Sequence, residues 1–203
     1  MKDWKGNKNS IYTTLGASNH TSEERECNDY YATDPIAIDK LLKRESLNKK
    51  LLEVSAGEGH LAEKLKMYGY DVITNDIVER NYKLDYRLDF LSGGGTLPLE
   101  DRDIITNPPY KYAKEFVLKA LDIISEGRKV YMFLKVTFLE GKARYNDLFS
   151  KYPPKAIYVF SERVMCAKNG DFNKMREGGG SAVAYAWYVW EKGYIGKTTI
   201  EWI

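Results

Sequence analysis

The sequence predicts an α/β protein: a largely parallel β-sheet with helices on both faces. Two observations carry this. Short apolar and β-branched runs alternate with helical patterns at the spacing of strand-helix-strand units. The composition, 43% hydrophobic and 30% charged, is that of a globular chain, neither disordered nor fibrous. At about 150 residues per domain, the 203 residues leave no space for a large second domain, and residues 1–203 are expected to form a single domain.

Residues 1–29 are rich in Asn, Ser, Thr, Gly and charge and read as an irregular leader. A helix follows, with Asp34 as cap, Pro35 at its first position and Ile36, Ile38, Leu41 and Leu42 on one face. Lys50–Ser55 reads as a buried strand, Gly57–Gly59 as a tight turn, and Leu61–Tyr68 as a helix ended by Gly69. The pattern then repeats with strand Asp71–Asn75, a short strand near Asp85–Leu88, and strand Asp103–Thr106 running into Asn107-Pro108-Pro109-Tyr110. Helix Ala113–Ile124, strand Arg128–Lys135, helix Gly141–Phe149 and strand Ala156–Phe160 complete the alternation. Residues 161–180 form a long polar loop, and loops of that length are commonly functional. Ser181–Trp190 reads as a closing strand, with a further extended piece over Lys197–Ile203.

The longest apolar run, Ala182–Trp190, has nine residues, whereas a membrane-spanning helix needs about 20; membrane insertion is excluded. Met1–Ser10 is polar and lacks a secretory apolar stretch, so a cytoplasmic location is expected. Cys27 and Cys166 lie far apart with no ligand-spaced partner, and His20 and His60 stand alone, so neither a disulfide framework nor a metal site is expected. The formal net charge of +2 is too small for a protein that coats nucleic acid. Its distribution is uneven, however: Lys135–Arg176 holds nine basic and four acidic residues, a region that could meet phosphates.

Two motifs carry chemistry. Gly57-Glu58-Gly59-His60-Leu61-Ala62 follows a predicted strand and opens a helix, where an α/β sheet presents backbone amides to a cofactor. The pattern also fits a dinucleotide site, with Asp76 placed for a ribose diol, so NAD is a rival. Glu58 counts against it, because a carboxylate there would repel a pyrophosphate. S-adenosylmethionine carries a sulfonium and an ammonium group instead, which Glu53 and Glu58 could favour. A plain strand-turn-helix connection would explain the glycines but not acids at both strand ends. The second motif, Asn107-Pro108-Pro109-Tyr110, ends a strand with two residues that lack N–H donors. The Asn107 side-chain oxygen and the Pro108 carbonyl can then accept from one NH2 group, while Tyr110 stacks on a planar substrate. Such a site needs no strong base before attack and works by positioning and electrostatics.

These motifs resemble those of the phage-type DNA N6-adenine methyltransferases, S-adenosylmethionine-dependent enzymes of the class I fold. The likeness covers Asp29–Pro35, Glu53–Gly59, Asp76, Asp89-Phe90, Asn107–Tyr110, Phe138–Gly141 with Arg144, Trp187–Gly193 and Ile200–Ile203. It implies a Rossmann-like class I methyltransferase fold with a mixed, mostly parallel seven-stranded sheet. Tyr31, Thr33, Pro35, Glu53, Ser55, Gly57, Gly59, Asp76, Asp89 and Phe90 would hold S-adenosylmethionine, with Thr33 and Pro35 toward its methionine end, Asp76 at the ribose and Asp89-Phe90 at the adenine. Asn107, Pro108, Pro109 and Tyr110 would form the target-amine site. Ser55-Ala56 departs from the pair usual before the first glycine. Related restriction-modification enzymes carry a separate recognition domain for which this chain has no room, so recognition of DNA would fall to the basic segment from Phe138 to Gly180. There Arg144, Arg163, Lys168, Lys174 and Arg176 would grip phosphates, and Phe172 or Tyr145 would stack beside an extruded base; low sequence specificity follows. Cytosine C5 chemistry is disfavoured because neither cysteine follows proline. Methylation of cytosine N4, of RNA or of protein glutamine, and a non-catalytic S-adenosylmethionine-binding module, remain alternatives.

Overall fold

The structure is a computed structural model that describes residues 31–168, 172 and 183–203. The expected leader over 1–29 lies outside the described residues, as do Lys174 and Arg176. Nine strands are described: β1 (Tyr31–Thr33), β2 (Lys50–Glu53), β3 (Asp71–Thr74), β4 (Asp103–Thr106), β5 (Lys129–Lys135), β6 (Ala156–Val159), β7 (Cys166–Lys168), β8 (Tyr185–Glu191) and β9 (Thr199–Trp202). Seven of them form one sheet in the order β3-β2-β4-β5-β8-β6-β9, and β1 pairs with β7 in a separate ribbon. Within the sheet, β3, β2, β4 and β5 run parallel, and so do β6 and β9, while β8 is antiparallel to both its neighbours.

Period-two alternation divides the strands between two cores. Leu51, Ile105, Tyr131, Phe133, Trp187 and Val189 face one side, where helices α1 (Ile36–Leu41) and α2 (His60–Met67) cover them. Leu52, Ile104, Val130, Met132, Tyr188 and Trp190 face the other, beneath α3 (Phe90–Gly93) and α4 (Ala113–Ile123). On α4 the buried positions Ala113, Phe116, Val117, Ala120 and Leu121 follow the i, i+3, i+4, i+7, i+8 stripe of a one-sided helix. The buried indoles also satisfy their donors: Trp187 Nε1 bonds Ala37 O at 2.9 Å and Trp190 Nε1 bonds Tyr152 O at 3.0 Å.

Most predicted elements are present with shifted ends. Pro35 takes helical dihedrals just before α1, and Asp34 Oδ1 accepts from Ile36 N at 3.1 Å, so Asp34 supplies the cap bond. Gly69, at φ +78°, ends α2 with its N–H on Lys66 O. Four expectations require correction. The strand near Asp85–Leu88 is reduced to a single bridge between Asn75 and Tyr86, because side chains replace the backbone ladder. Asp85 Oδ2 accepts from Thr74 N and Oγ1, both at 2.9 Å, and Asn75 exchanges side-chain bonds with Leu88 N and O. The helix over Gly141–Phe149 is a short α-turn at Lys142–Arg144 that widens into a π-turn at Tyr145–Phe149. Among the described residues the closing strand runs over Tyr185–Glu191, and Val183 and Ala184 precede it as irregular chain; the first two residues of the expected run lie outside the described residues. Finally, the loop over 161–180 contains β7, which pairs with β1 in the register Thr33↔Cys166.

Candidate active site

A cleft of about 510 Å3 opens at the carboxyl ends of β2, β3 and β4, where a parallel sheet leaves a crevice between diverging loops. It is lined by Tyr31, Ser55, Asp76, Asp89, Phe90 and the whole Asn107–Tyr110 motif. Lys111, Tyr112 and Arg80, which the sequence reading did not single out, also face it.

One wall is the strand-turn-helix around the glycines. Gly59 precedes α2 at φ +76°, and a Cβ there would lie 2.4 Å from the Tyr82 ring. Only glycine suits both the dihedral and the space. Gly57 N donates to Asp76 Oδ2 at 2.8 Å, while Asp76 Oδ1 accepts from Val78 N and faces Arg80 at 3.6 Å. Asn75, wholly buried, spans the ends of the neighbouring segments by donating to Val54 O and Leu88 O. Asp89 caps α3 by accepting from Leu91 N at 3.0 Å, and Phe90 packs beneath it. Glu53 is 2% exposed, and its Oε2 has no hydrogen-bond partner among the described residues. Burial first, and the negative charge of Asp76 second, push its carboxyl well above the usual carboxylate range. Glu58 stays at the turn and accepts from Asn81 Nδ2 at 3.2 Å.

The other wall carries the Asn-Pro-Pro-Tyr motif. Asn107 Nδ2 donates to Tyr31 O at 3.0 Å and to Cys166 Sγ at 3.4 Å. Its Oδ1 is buried and has no hydrogen-bond partner among the described residues. The Tyr110 hydroxyl lies 3.3 Å from Cys166 Sγ, and either atom can donate. Its ring faces Tyr31 at 6.5 Å and Tyr185 at 6.0 Å, near-parallel to both, and Lys135 Nζ lies 5.1 Å from its centroid. Burial holds the Tyr110 hydroxyl well above its ordinary titration range, so it stays protonated.

Thr33 and Glu53 are buried, and neither they nor Pro35, Gly57 and Gly59 line the cleft. The basic candidates scatter. Arg144 donates to the carbonyls of Phe138, Thr137 and Glu140 and lies over the Phe138 ring, so it closes its own loop rather than reaching outward. Arg163 is exposed, and the Lys168 backbone pairs with Tyr31. Phe172 packs edge-on against His60 with centroids 5.5 Å apart, at the start of α2. Tyr145 is 63% exposed. Cys166, 3% exposed, is a further site residue that the sequence reading did not single out. No signal in its own stretch marked it, since its partners lie far away in the chain. Among the described residues no cluster of three His, Cys, Asp or Glu could hold a metal ion, and no helix is long and apolar enough to cross a membrane.

The sheet order, the reversed β8 and the cleft at the carboxyl edge decide the architecture. The fold is that of the class I methyltransferases. A solved structure described as a class I S-adenosylmethionine-dependent methyltransferase, from Listeria monocytogenes, matches 96% of this chain and 71% of its own, with TM-score 0.56 and 12% identity. The M protein of the type I restriction enzyme EcoKI matches 86% of this chain with TM-score 0.58 and 13% identity. A modification subunit of a type I restriction enzyme from Vibrio vulnificus matches 94% with TM-score 0.53 and 12% identity. This chain spans 45% and 48% of the length of those two proteins. No family model and no curated protein sequence matches it.

Proposed function

We propose that this chain transfers a methyl group from S-adenosylmethionine to the exocyclic N6 amine of adenine in DNA. One observation carries the reading. The Asn107 carboxamide has its NH2 engaged by Tyr31 O and Cys166 Sγ, which leaves Oδ1 as a buried acceptor beside Tyr110 in the cleft motif. A buried acceptor without a donor is costly, about 1–3 kcal/mol, and an incoming NH2 group relieves that cost.

The residues of the glycine wall fit a cationic cofactor better than a pyrophosphate. Glu53 has an unpartnered oxygen, and the Asp76 charge lies near enough to raise its pKa. An ammonium or sulfonium group would be attracted where a phosphate would be repelled. Asp76 would accept from the ribose hydroxyls, and the Asp89-Phe90 edge would meet the adenine ring. When bound, S-adenosylmethionine supplies an electrophilic methyl group on sulfur. The chain's own residues do the rest by orientation. Asn107 Oδ1 and the Pro108 carbonyl accept the two N–H bonds of the amine, so its nitrogen lone pair points away from them toward the methyl carbon. Transfer of the methyl group would leave the amine nitrogen cationic and the cofactor as its neutral thioether, and the surplus N–H proton would pass to water. Tyr110 stacks on the base, and its protonated hydroxyl adds no charge to the site.

Adenine in DNA is preferred over other planar NH2 groups because modification subunits of restriction enzymes share this architecture and because the cleft lining includes the exposed residues Tyr31, Tyr112 and Lys111. Aromatic and cationic groups together suit an extruded base and its phosphates. Incubation with methyl-labelled cofactor and double-stranded DNA, single-stranded DNA, RNA or glutamine-bearing protein tests the reading. Labelled N6-methyladenine from digested DNA is expected; label confined to RNA or protein would overturn it. Mapping the modified adenines on plasmid DNA is expected to show a short, degenerate context rather than one long motif.

A further inference from the structure

We infer that Cys166 is a positioning residue for the transfer: with the Tyr31 carbonyl, its sulfur turns the Asn107 carboxamide so that Oδ1 faces the acceptor amine. The inference deepens the function proposed above and rests on that reading for its catalytic arm. An asparagine amide has two chemically different ends of nearly equal size, so something must select its orientation. Tyr31 O selects it, because a backbone carbonyl carries no proton and only the NH2 end can face it at 3.0 Å. The second amide hydrogen points to Cys166 Sγ at 3.4 Å. Without that second contact the carboxamide would hang on one bond and could rock about it.

The same sulfur also lies 3.3 Å from Tyr110 Oη and 3.9 Å from Tyr31 O. One atom thereby touches the two side chains of the motif that meet the substrate, as well as the carbonyl that orients the first of them. Cys166 is held there by β7, through the Thr33↔Cys166 register and the bond from Asp34 N to Met165 O at 3.0 Å. Burial keeps the thiol protonated by pushing its pKa up, despite opposing hydrogen bonds from Tyr110 and Asn107. A neutral, enclosed thiol suits an orienting group and not a nucleophile. The independent sign that orientation matters here is Asn107 Oδ1 itself, buried and without a partner among the described residues. The ribbon thus spends both hydrogens of the amide and leaves its oxygen for a ligand.

Three variants of the full chain separate orientation from packing: Cys166→Val, which fills the space without hydrogen bonding, Cys166→Ser, which restores it, and Asn107→Ala, which identifies the Asn107 side-chain signal. In asparagine-labelled protein, the Asn107 NH2 resonances are expected to shift and lose exchange protection in C166V and to recover in C166S, with melting temperature and cofactor affinity held close to wild type. In turnover, C166V is expected to lower kcat by about 10- to 100-fold with the KM for cofactor unchanged, and C166S to restore most of it. An unchanged Asn107 resonance in C166V, or a wild-type kcat, would overturn the inference while leaving the proposed function standing. Absence of any transfer to DNA by the wild type would instead overturn the proposed function, and the spectroscopic arm would still decide the role of Cys166.

Discussion

From Glu53 to Asp76 the cleft wall is one continuous run of chain, whereas the wall around Asn107 draws together residues 31, 107–110, 166 and 185. In the first wall the bonds are internal: Gly59 N to Ala56 O, Ala56 N to Asn75 O, and Gly57 N to Asp76 Oδ2. In the second, sequence separations of 56, 59 and 76 residues are closed by single side-chain contacts. Defects in the first wall should therefore appear as lost stability or cofactor affinity, because the strand-turn-helix itself is altered. Defects in the second should appear as lost turnover in a protein that still folds, since the sheet beneath it is untouched.

The sharpest break between the walls is expected from Asn107→Ala. Removing the amine acceptor should lower kcat by about 100- to 1,000-fold, while calorimetry shows cofactor affinity near wild type. Parallel loss of both would mean that the two walls are not functionally separate. Tyr110→Ala comes next. Base stacking is worth about 1–3 kcal/mol, so kcat/KM for DNA should fall by about 10- to 100-fold, with Tyr110→Phe far milder; equal damage from both would assign the effect to the hydroxyl and not the ring.

On the glycine wall, Gly59→Ala forces a side chain into a left-handed backbone and against Tyr82. A cost of about 1–3 kcal/mol in folding free energy is expected by denaturant titration. Pairing it with Tyr82→Ala should recover only the steric part. The smallest effect is that of Glu53→Gln. The folded chain holds the Glu53 proton more tightly than the unfolded chain, so stability is full below the ordinary carboxylate range and falls as pH rises through the folded value. The substitution should therefore stabilise the cofactor-free protein at neutral pH, change little where both carboxyl forms are protonated at acidic pH, and weaken cofactor binding. Loss of stability at neutral pH would show that the carboxylate is satisfied rather than stranded.

The same division sets what could be read from the sequence. The alternation that gave β2, α2, β3 and β4 is local, and so is the Gly57–Gly59 turn, whose dihedrals demand glycine wherever the chain stands. Asn107-Pro108-Pro109-Tyr110 was legible because its residue types belong together within four positions. The ribbon was not, because Tyr31–Thr33 and Cys166–Lys168 are short, unremarkable runs whose pairing exists only in three dimensions. Charge alone could not register that the Arg144 guanidinium bonds carbonyls of its own loop. Period-two patterning likewise overstated Asp85–Leu88, since it cannot register that Asn75 and Asp85 side chains do the work of a ladder.

Tyr31 meets Asn107 through its main-chain oxygen. Alanine scanning is blind to such a donor-acceptor pair, because every replacement at position 31 keeps the carbonyl. A tolerant scan of that stretch would thus leave its largest contribution uncounted, and a semisynthetic ester linkage between residues 31 and 32, which weakens that oxygen as an acceptor, is the kind of edit that would expose it.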